Sequence, residues 1–133
     1  MTTLTHGWNA NQETEAASRS RITIAICWTF QLAVALMFVM AGWGKLSGAP
    51  AMVQVFDAIG IGQWFRHMTG TVEVVSAGLL LAPPVALYGA VLAMATMAGA
   101  VFTHVAIIGG NATPALVLFA AAVSVVWIRR SGR

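Results

Sequence analysis

VVSAGLLLAPPVALYGAVLAMATMAGAVFTHVAIIGGNATPALVLFAAAVSVVWI, residues 74–128, contains no Asp, Glu, Lys or Arg. A transmembrane helix needs about 20 apolar residues, so this stretch is too long for a single span. Proline and glycine interrupt helices most strongly, and the pairs Pro83-Pro84 and Gly109-Gly110 divide the stretch. With the residues just before it, the stretch therefore predicts three helices, over about residues 69–82, 85–108 and 112–128.

The composition of the whole chain indicates the same class of protein. Of its 133 residues, 59% are hydrophobic and 8% are charged, whereas soluble domains carry about 25% charged residues. A soluble chain this apolar could not cover its surface, so we expect an integral membrane protein. Cys27 is the only cysteine, which excludes an intramolecular disulfide and a CxxC redox pair. The net charge of +3 comes without a basic stripe interleaved with aromatics, so we expect no nucleic-acid partner.

The first part of the chain adds a polar segment, one more span and a short helix. Residues 1–20 are polar, and we expect them to form a soluble, mobile tail. Residues 22–44 are apolar and long enough for the first transmembrane helix. Pro50 opens a one-sided apolar stretch that predicts a short interfacial helix over about residues 50–60. The predicted fold is all-α: a four-transmembrane-helix bundle forming a single domain, residues 21–133.

The basic residues indicate an orientation in the membrane. Arg19 and Arg21 precede the first predicted span, and Arg129, Arg130 and Arg133 follow the last. Cytoplasmic loops carry an excess of Lys and Arg, so we expect both termini on the cytoplasmic side. Four crossings are compatible with this arrangement.

This topology places most of the ionisable residues near the bilayer in one outer layer. Lys45 ends the first predicted helix, Glu73 lies about one turn into the second, and His104 lies about one turn before the end of the third. A carboxylate inside a membrane is costly unless it is paired or hydrated, so it marks a functional site by default. We therefore predict Glu73 and His104 as catalytic or ligand-binding groups. The alternatives are a structural ion pair of Glu73 with Lys45 or Arg66, and a packed His104.

Other side chains near this layer could line the apolar part of a site. Met94, Met97 and His104 lie along one helical face, a pattern that suits a packed core or a Cu(I) site. A stable metal site usually needs three or four ligands, so we predict no metal site, with His104 the sole candidate ligand. The residues predicted to contact a ligand are Lys45, Arg66, Trp43, Trp64, Met94, Met97 and Thr103.

Small residues recur every four positions along the third predicted helix. One row contains Gly89 and Ala93, and another contains Ala95, Gly99 and Thr103. This small-xxx-small spacing lets helices approach closely in lipid, where no hydrophobic force brings them together. Gly42 and Gly44 predict a similar close approach at the end of the first helix.

Three stretches together carry a resemblance to a known family. They are AGWGKLSG (residues 41–48), FDAIGIGQWFRHMTGTVEVVSAGLLLAPP (residues 56–84) and YGAVLAMATMAGAVFTH (residues 88–104). In their order and spacing they resemble the DoxX-like family of small four-helix membrane proteins, over about residues 28–128. The resemblance implies a bacterial cytoplasmic-membrane protein with a redox association, since relatives include a subunit linked to thiosulfate:quinone oxidation. It supports the fold more than the reaction.

The sequence is compatible with three functions. The first is a redox-linked membrane subunit that binds a quinone, or another small lipophilic molecule, with its polar head at Glu73 and His104. Haem and copper are alternative cofactors, and a redox partner subunit or a second copy of the chain are the expected partners. The second is a non-catalytic scaffold in a membrane complex. The third is a small transporter, or an enzyme such as an isomerase that uses Glu73 and His104 as acid and base.

Overall fold

The computed structural model of the protein describes residues 3–131, with side chains for residues 10–130, and all of its regular elements are helical. The prediction of an all-α fold is therefore confirmed over this range. Arg133, which contributed to the predicted orientation, lies outside it. The α-helices are α1 (Thr3–Leu46), α2 (Pro50–Ile59), α3 (Gln63–Leu81), α4 (Ala86–Thr103) and α5 (Thr113–Ser131), and α4 continues into a π-helical turn at His104–Ile108.

Three stretches of helix in the described chain are long and apolar enough to cross a membrane: Ala10–Leu46, Ala86–Ile108 and Thr113–Arg130. Large apolar side chains such as Leu36, Val91 and Val117 are exposed on these helices, as lipid contact requires. α3 is not among the three, because Arg66, His67 and Glu73 lower its apolar content. The fourth span therefore stays a prediction.

Two helices begin earlier than the sequence pattern predicted. α1 begins at Thr3, although its apolar part begins near Ile22, and α3 begins at Gln63 rather than near residue 69. Counting apolar residues finds only the part of a helix that suits lipid. The residues before Ile22 include alanine, glutamate and glutamine, which have high helix propensity, and no proline.

The chain divides into two compact units between Phe30 and Gln31. The described side chains of the first unit are mostly exposed, including Ile22, Ile24 and Ile26. The second unit contains the helical bundle and nearly all of the buried core.

Within the second unit, α1 and α3 run antiparallel. Gln31 lies beside Leu80 at one end, Gly42 meets Gly70 further along, and Lys45 meets Glu73 near the other end. At the Gly42–Gly70 crossing, a Cβ atom added to Gly42 would lie 2.8 Å from the Gly70 carbonyl oxygen. Only glycine allows the two backbones this close, so the predicted close approach at Gly42 is confirmed. Gly44 has open space around it instead.

α4 packs between α3 and α5. The α3–α4 turn contains Pro83 and Pro84, and α4 then returns along α3 with alanines on its buried face. Gly89 makes the closest approach, because an added Cβ would lie 2.7 Å from the Leu80 backbone nitrogen and 2.8 Å from the Ser76 carbonyl oxygen. The predicted small-residue packing at Gly89 is thus confirmed.

A polar cluster holds the bundle together at the end away from Lys45. Gln31 is 4% exposed, and its side-chain nitrogen donates a hydrogen bond to the Leu80 carbonyl. Its side-chain oxygen accepts hydrogen bonds from Arg129 Nε at 3.0 Å and Nη2 at 2.6 Å. One amide therefore joins α1, α3 and α5, three helices that are far apart in sequence.

Replacing Gln31 with leucine is expected to lower the free energy of unfolding by about 1 kcal/mol, because hydrogen bonds between membrane helices have modest net values. Reversible unfolding in mixed detergent micelles measures the change. Leu32→Ala is the control, since Leu32 is 52% exposed and should matter much less. Equal losses in the two variants would show that the Gln31 hydrogen bonds contribute nothing.

Candidate functional site

The central feature of the site is a buried ion pair between α1 and α3. Lys45 Nζ lies 2.8 Å from both Glu73 Oε1 and Glu73 Oε2. The Glu73 side chain is 1% exposed and that of Lys45 is 16% exposed. The Gly42–Gly70 crossing makes this possible, because a Cβ at Gly70 would lie 3.0 Å from the Cβ of Lys45. The sequence left Lys45 and Arg66 as alternative partners of Glu73, and the structure pairs Glu73 with Lys45.

Arg66 has a different role. It is 7% exposed, and its Nη1 donates a hydrogen bond to the carbonyl oxygen of Lys45. Its Nε donates to Gln63 Oε1 at 2.5 Å, and its Nη2 lies 3.1 Å from His67 Nε2. The last carbonyls of a helix lack partners within the helix and carry partial negative charge, so Arg66 caps the end of α1.

The short helix α2 is held beside this ion pair. Pro50 occupies its first turn, and Gly60 ends it with a φ of 79°, a conformation that glycine adopts without strain. Gln63 Nε2 donates hydrogen bonds to the Val53 carbonyl oxygen at 3.1 Å and to Asp57 Oδ1 at 2.7 Å. These bonds fix α2 against the start of α3, and α2 also contacts the π-helical turn.

Between these elements lies a partly enclosed cavity of about 850 Å³, which we call the α2 cavity. It is bounded by α1, α2, α3, α4 with its π-helical turn, and the start of α5. Most of its lining is apolar, with methionine and phenylalanine prominent. Residues that mark its sides are Lys45, Glu73, Met52, Phe56, Met97 and His104.

The structure brings some of the predicted site residues to this cavity and leaves others away from it. Glu73, His104, Lys45, Met97 and Thr103 line it. The remaining predicted ligand contacts, Arg66, Trp43, Trp64 and Met94, do not line it.

The two tryptophans face outward. Trp43 is 68% exposed and Trp64 is 61% exposed, with the Trp64 indole N–H donating to the Ile61 carbonyl oxygen at 2.9 Å. Exposed tryptophans with a polar handle suit the boundary between lipid and water better than contact with a ligand in the cavity.

His104 lies where α4 changes into the π-helical turn. Its Nδ1 is buried, and no residue of the described chain supplies it with a hydrogen-bond partner. Single π-helical turns within helices are rare and occur often at functional sites. The turn begins at His104, which among the described histidines is the one that lines the α2 cavity.

Met68 was not singled out as a site residue in the sequence. It lines the cavity beside Met52 and Phe56 of α2. The one-sided apolar pattern of residues 50–60 predicted the helix and its apolar face, but it did not indicate that this face closes a cavity. No pattern in the sequence could have joined Gln31 to Arg129.

The arrangement suits a small organic molecule better than a metal ion. The residues described contain no group of three or more His, Cys, Asp or Glu side chains that could hold a metal. The two charged groups that the described residues contribute to the cavity are bound to each other. The remaining surface is apolar with a few polar groups, as is usual for sites that take lipophilic ligands.

Comparison with known proteins identifies the family of the chain. The model of the DoxX-like family matches residues 29–127, most of the chain. No curated protein and no solved structure matches the chain. The match includes both partners of the ion pair, the whole of α2, α3 and α4, and most of α5. Together with its long apolar helices, this match shows that the chain is a membrane protein that belongs to the DoxX-like family.

Proposed function

We propose that this protein is a redox-linked membrane subunit that binds a small lipophilic molecule in the α2 cavity, with a quinone as the first candidate. The observation that carries the proposal is the cavity itself, about 850 Å³ of mostly apolar space with Lys45, Glu73 and His104 on its walls. Binding sites for small organic molecules span about 300–1,000 Å³ and combine apolar walls with a few polar groups.

The lining supports a ligand with an aromatic or conjugated ring. Met40, Met52, Met68 and Met97 all line the α2 cavity, which is more than half of the seven methionines of the chain. Methionine is flexible and polarisable, and its sulfur makes favourable contacts with aromatic rings. A quinone would place its ring among these side chains and extend its apolar chain towards lipid. The redox role itself comes from the family resemblance.

The proposed topology has four spans. α3 is the fourth, since its 19 residues reach about 28 Å, close to the thickness of the hydrocarbon core. α2 then lies at the membrane interface. With both termini on the cytoplasmic side of a bacterial inner membrane, the α2 cavity lies towards the outer face, where a redox partner subunit or a second copy of the chain could reach it.

A scaffold role is the second candidate, and the ion pair favours it. Lys45 and Glu73 bind each other at 2.8 Å, as a structural tie between α1 and α3 would require. The same contact disfavours an isomerase or transporter that uses Glu73 as a base, because both carboxylate oxygens are already engaged by Lys45.

Blocking the α2 cavity tests the proposed function. Gly99 lines the cavity, and a Cβ added there meets nothing within 4 Å, so the side chain in Gly99→Leu would extend into open space. We expect protein in nanodiscs to bind a decyl-substituted benzoquinone, and Gly99→Leu to reduce the affinity by at least about tenfold. Quenching of tryptophan fluorescence, corrected with empty nanodiscs, measures binding.

The matched control is Ala98→Leu, one position along α4, where the residue is exposed and does not line the cavity. It should bind the quinone like the natural protein. Absence of binding, or equal binding by both leucine variants, would contradict the proposal and favour the scaffold role.

A further inference from the structure

The charges of the α2 cavity cancel. Among the described residues that line it, Lys45 and Glu73 are the charged ones, and the ammonium group contacts both carboxylate oxygens. A charged ligand would need one member of this pair as its own partner. The other member would then be left as an unpaired charge, and a buried unpaired charge is strongly unfavourable.

The hydroxyl and amide groups of the lining are also engaged. Thr69, Thr96 and Thr103 each donate to a backbone carbonyl oxygen within α3 or α4, at 3.0, 2.8 and 2.9 Å. The side-chain oxygen of Asn111 accepts a hydrogen bond from the backbone N–H of Thr113 at 2.9 Å. None of these side chains depends on a ligand for its first hydrogen bond.

His104 is the exception. Of the polar side chains that line the cavity, its imidazole alone has no hydrogen-bond partner within residues 3–131. Buried polar groups in proteins nearly always have a partner, and each that lacks one requires an explanation. A half turn about the Cβ–Cγ bond exchanges the ring positions of Nδ1 and Cδ2, so either edge of the ring can be presented to a ligand.

We infer that the ligand of the α2 cavity is uncharged and that the His104 imidazole is its hydrogen-bond partner. This inference rests on the proposed function, since it specifies what the cavity binds. A neutral imidazole has one donor and one acceptor nitrogen and can exchange them. The ring therefore accommodates a ligand hydroxyl or a ligand carbonyl, whereas a pure hydrocarbon would leave it unpaired.

Probes with the same ten-carbon chain test both parts. The probes are decanol, decyl sulfate, decyltrimethylammonium and decane, each added at pH 8 to nanodiscs of zwitterionic phosphatidylcholine. Binding is the excess of probe retained by protein-loaded over empty nanodiscs. We expect the natural protein to bind decanol at least about tenfold more tightly than either charged probe. This comparison needs no substitution, so it cannot fail through misfolding.

The second part compares variants at His104. His104→Phe should weaken decanol binding roughly fivefold and leave decane binding unchanged, because one hydrogen bond is lost while the apolar walls remain. His104→Gln should restore part of the loss, since the amide can still form a hydrogen bond. Thr71→Val is the control, because Thr71 lies outside the lining of the cavity and its hydroxyl donates to the His67 carbonyl oxygen at 2.8 Å, so it should bind decanol normally.

The outcomes separate this inference from the proposed function. Decyl sulfate or decyltrimethylammonium binding as tightly as decanol would overturn the uncharged ligand. Equal decanol binding by the natural protein and His104→Phe would overturn the role of His104. Both results would leave the cavity as a binding site. Failure of every probe, together with failure of the benzoquinone, would overturn the proposed function and this inference with it.

Discussion

Replacing Gly89 with alanine is expected to destabilise the protein by about 2 kcal/mol, although alanine is the better helix former. The added Cβ would lie 2.7 Å from the Leu80 backbone nitrogen, 2.8 Å from the Ser76 carbonyl oxygen and 2.8 Å from the Leu79 Cβ. Two of these atoms belong to the backbone of α3 and cannot move aside alone. α3 and α4 would have to separate, which costs packing along their whole contact.

Gly99→Ala is the matched control on the same helix. A Cβ at Gly99 meets nothing within 4 Å, so alanine should be neutral or should stabilise α4 by roughly 0.5 kcal/mol. Reversible unfolding in mixed detergent micelles measures both variants. If Gly89→Ala were as stable as Gly99→Ala, the close approach of α3 and α4 at this point would be wrong.

Gly89 and Gly99 also show what the small-xxx-small spacing can predict and what it cannot. Both lie in small-xxx-small rows of α4, and both were predicted to pack closely against another helix. Gly89 does so, and Gly99 lines the α2 cavity instead. The spacing identifies a helix face that is narrow enough for close contact. It carries no information about whether another helix, or an open cavity, lies opposite that face.

The pairing of Lys45 with Glu73 could be predicted only as one of two possibilities. Topology placed Lys45, Arg66 and Glu73 at similar depth, but depth does not decide which cation reaches the carboxylate. That choice depends on the crossing of α1 and α3 at Gly42 and Gly70, which brings Lys45 to Glu73. The same crossing leaves Arg66 beside the Lys45 carbonyl oxygen.

Long-range contacts account for the rest of what the sequence left open. Gln31 lies in an apolar stretch, and its partner Arg129 is 98 positions away. Likewise, α2 was predicted as an interfacial helix because its apolar residues lie on one side. An apolar face can contact lipid or close a cavity with equal ease, and only the packing against α3 and the π-helical turn distinguishes the two.

Breaking the ion pair is expected to have the largest effect on stability. Glu73→Leu leaves the Lys45 ammonium without its partner at a site where its side chain is only 16% exposed. Lys45→Met leaves the Glu73 carboxylate unpaired at 1% exposure, which is the more severe environment. Removing one partner of a buried pair typically costs about 3–5 kcal/mol. We expect Glu73→Leu near the lower limit of that range, because the lysine stem can extend towards water, and Lys45→Met near the upper limit.

The double variant Lys45→Met with Glu73→Leu distinguishes the ion pair from general damage to the site. Apolar side chains of similar volume often replace a buried ion pair at little cost, so the double variant should lie within about 1 kcal/mol of the natural protein. The double-mutant cycle would then give a coupling energy that is larger than the loss of stability in either single variant. If the two single losses simply added, Lys45 and Glu73 would act independently, and the pair could not be the tie between α1 and α3. A stable double variant that still binds the benzoquinone would also show that the cavity needs the neutrality of this pair rather than its charges.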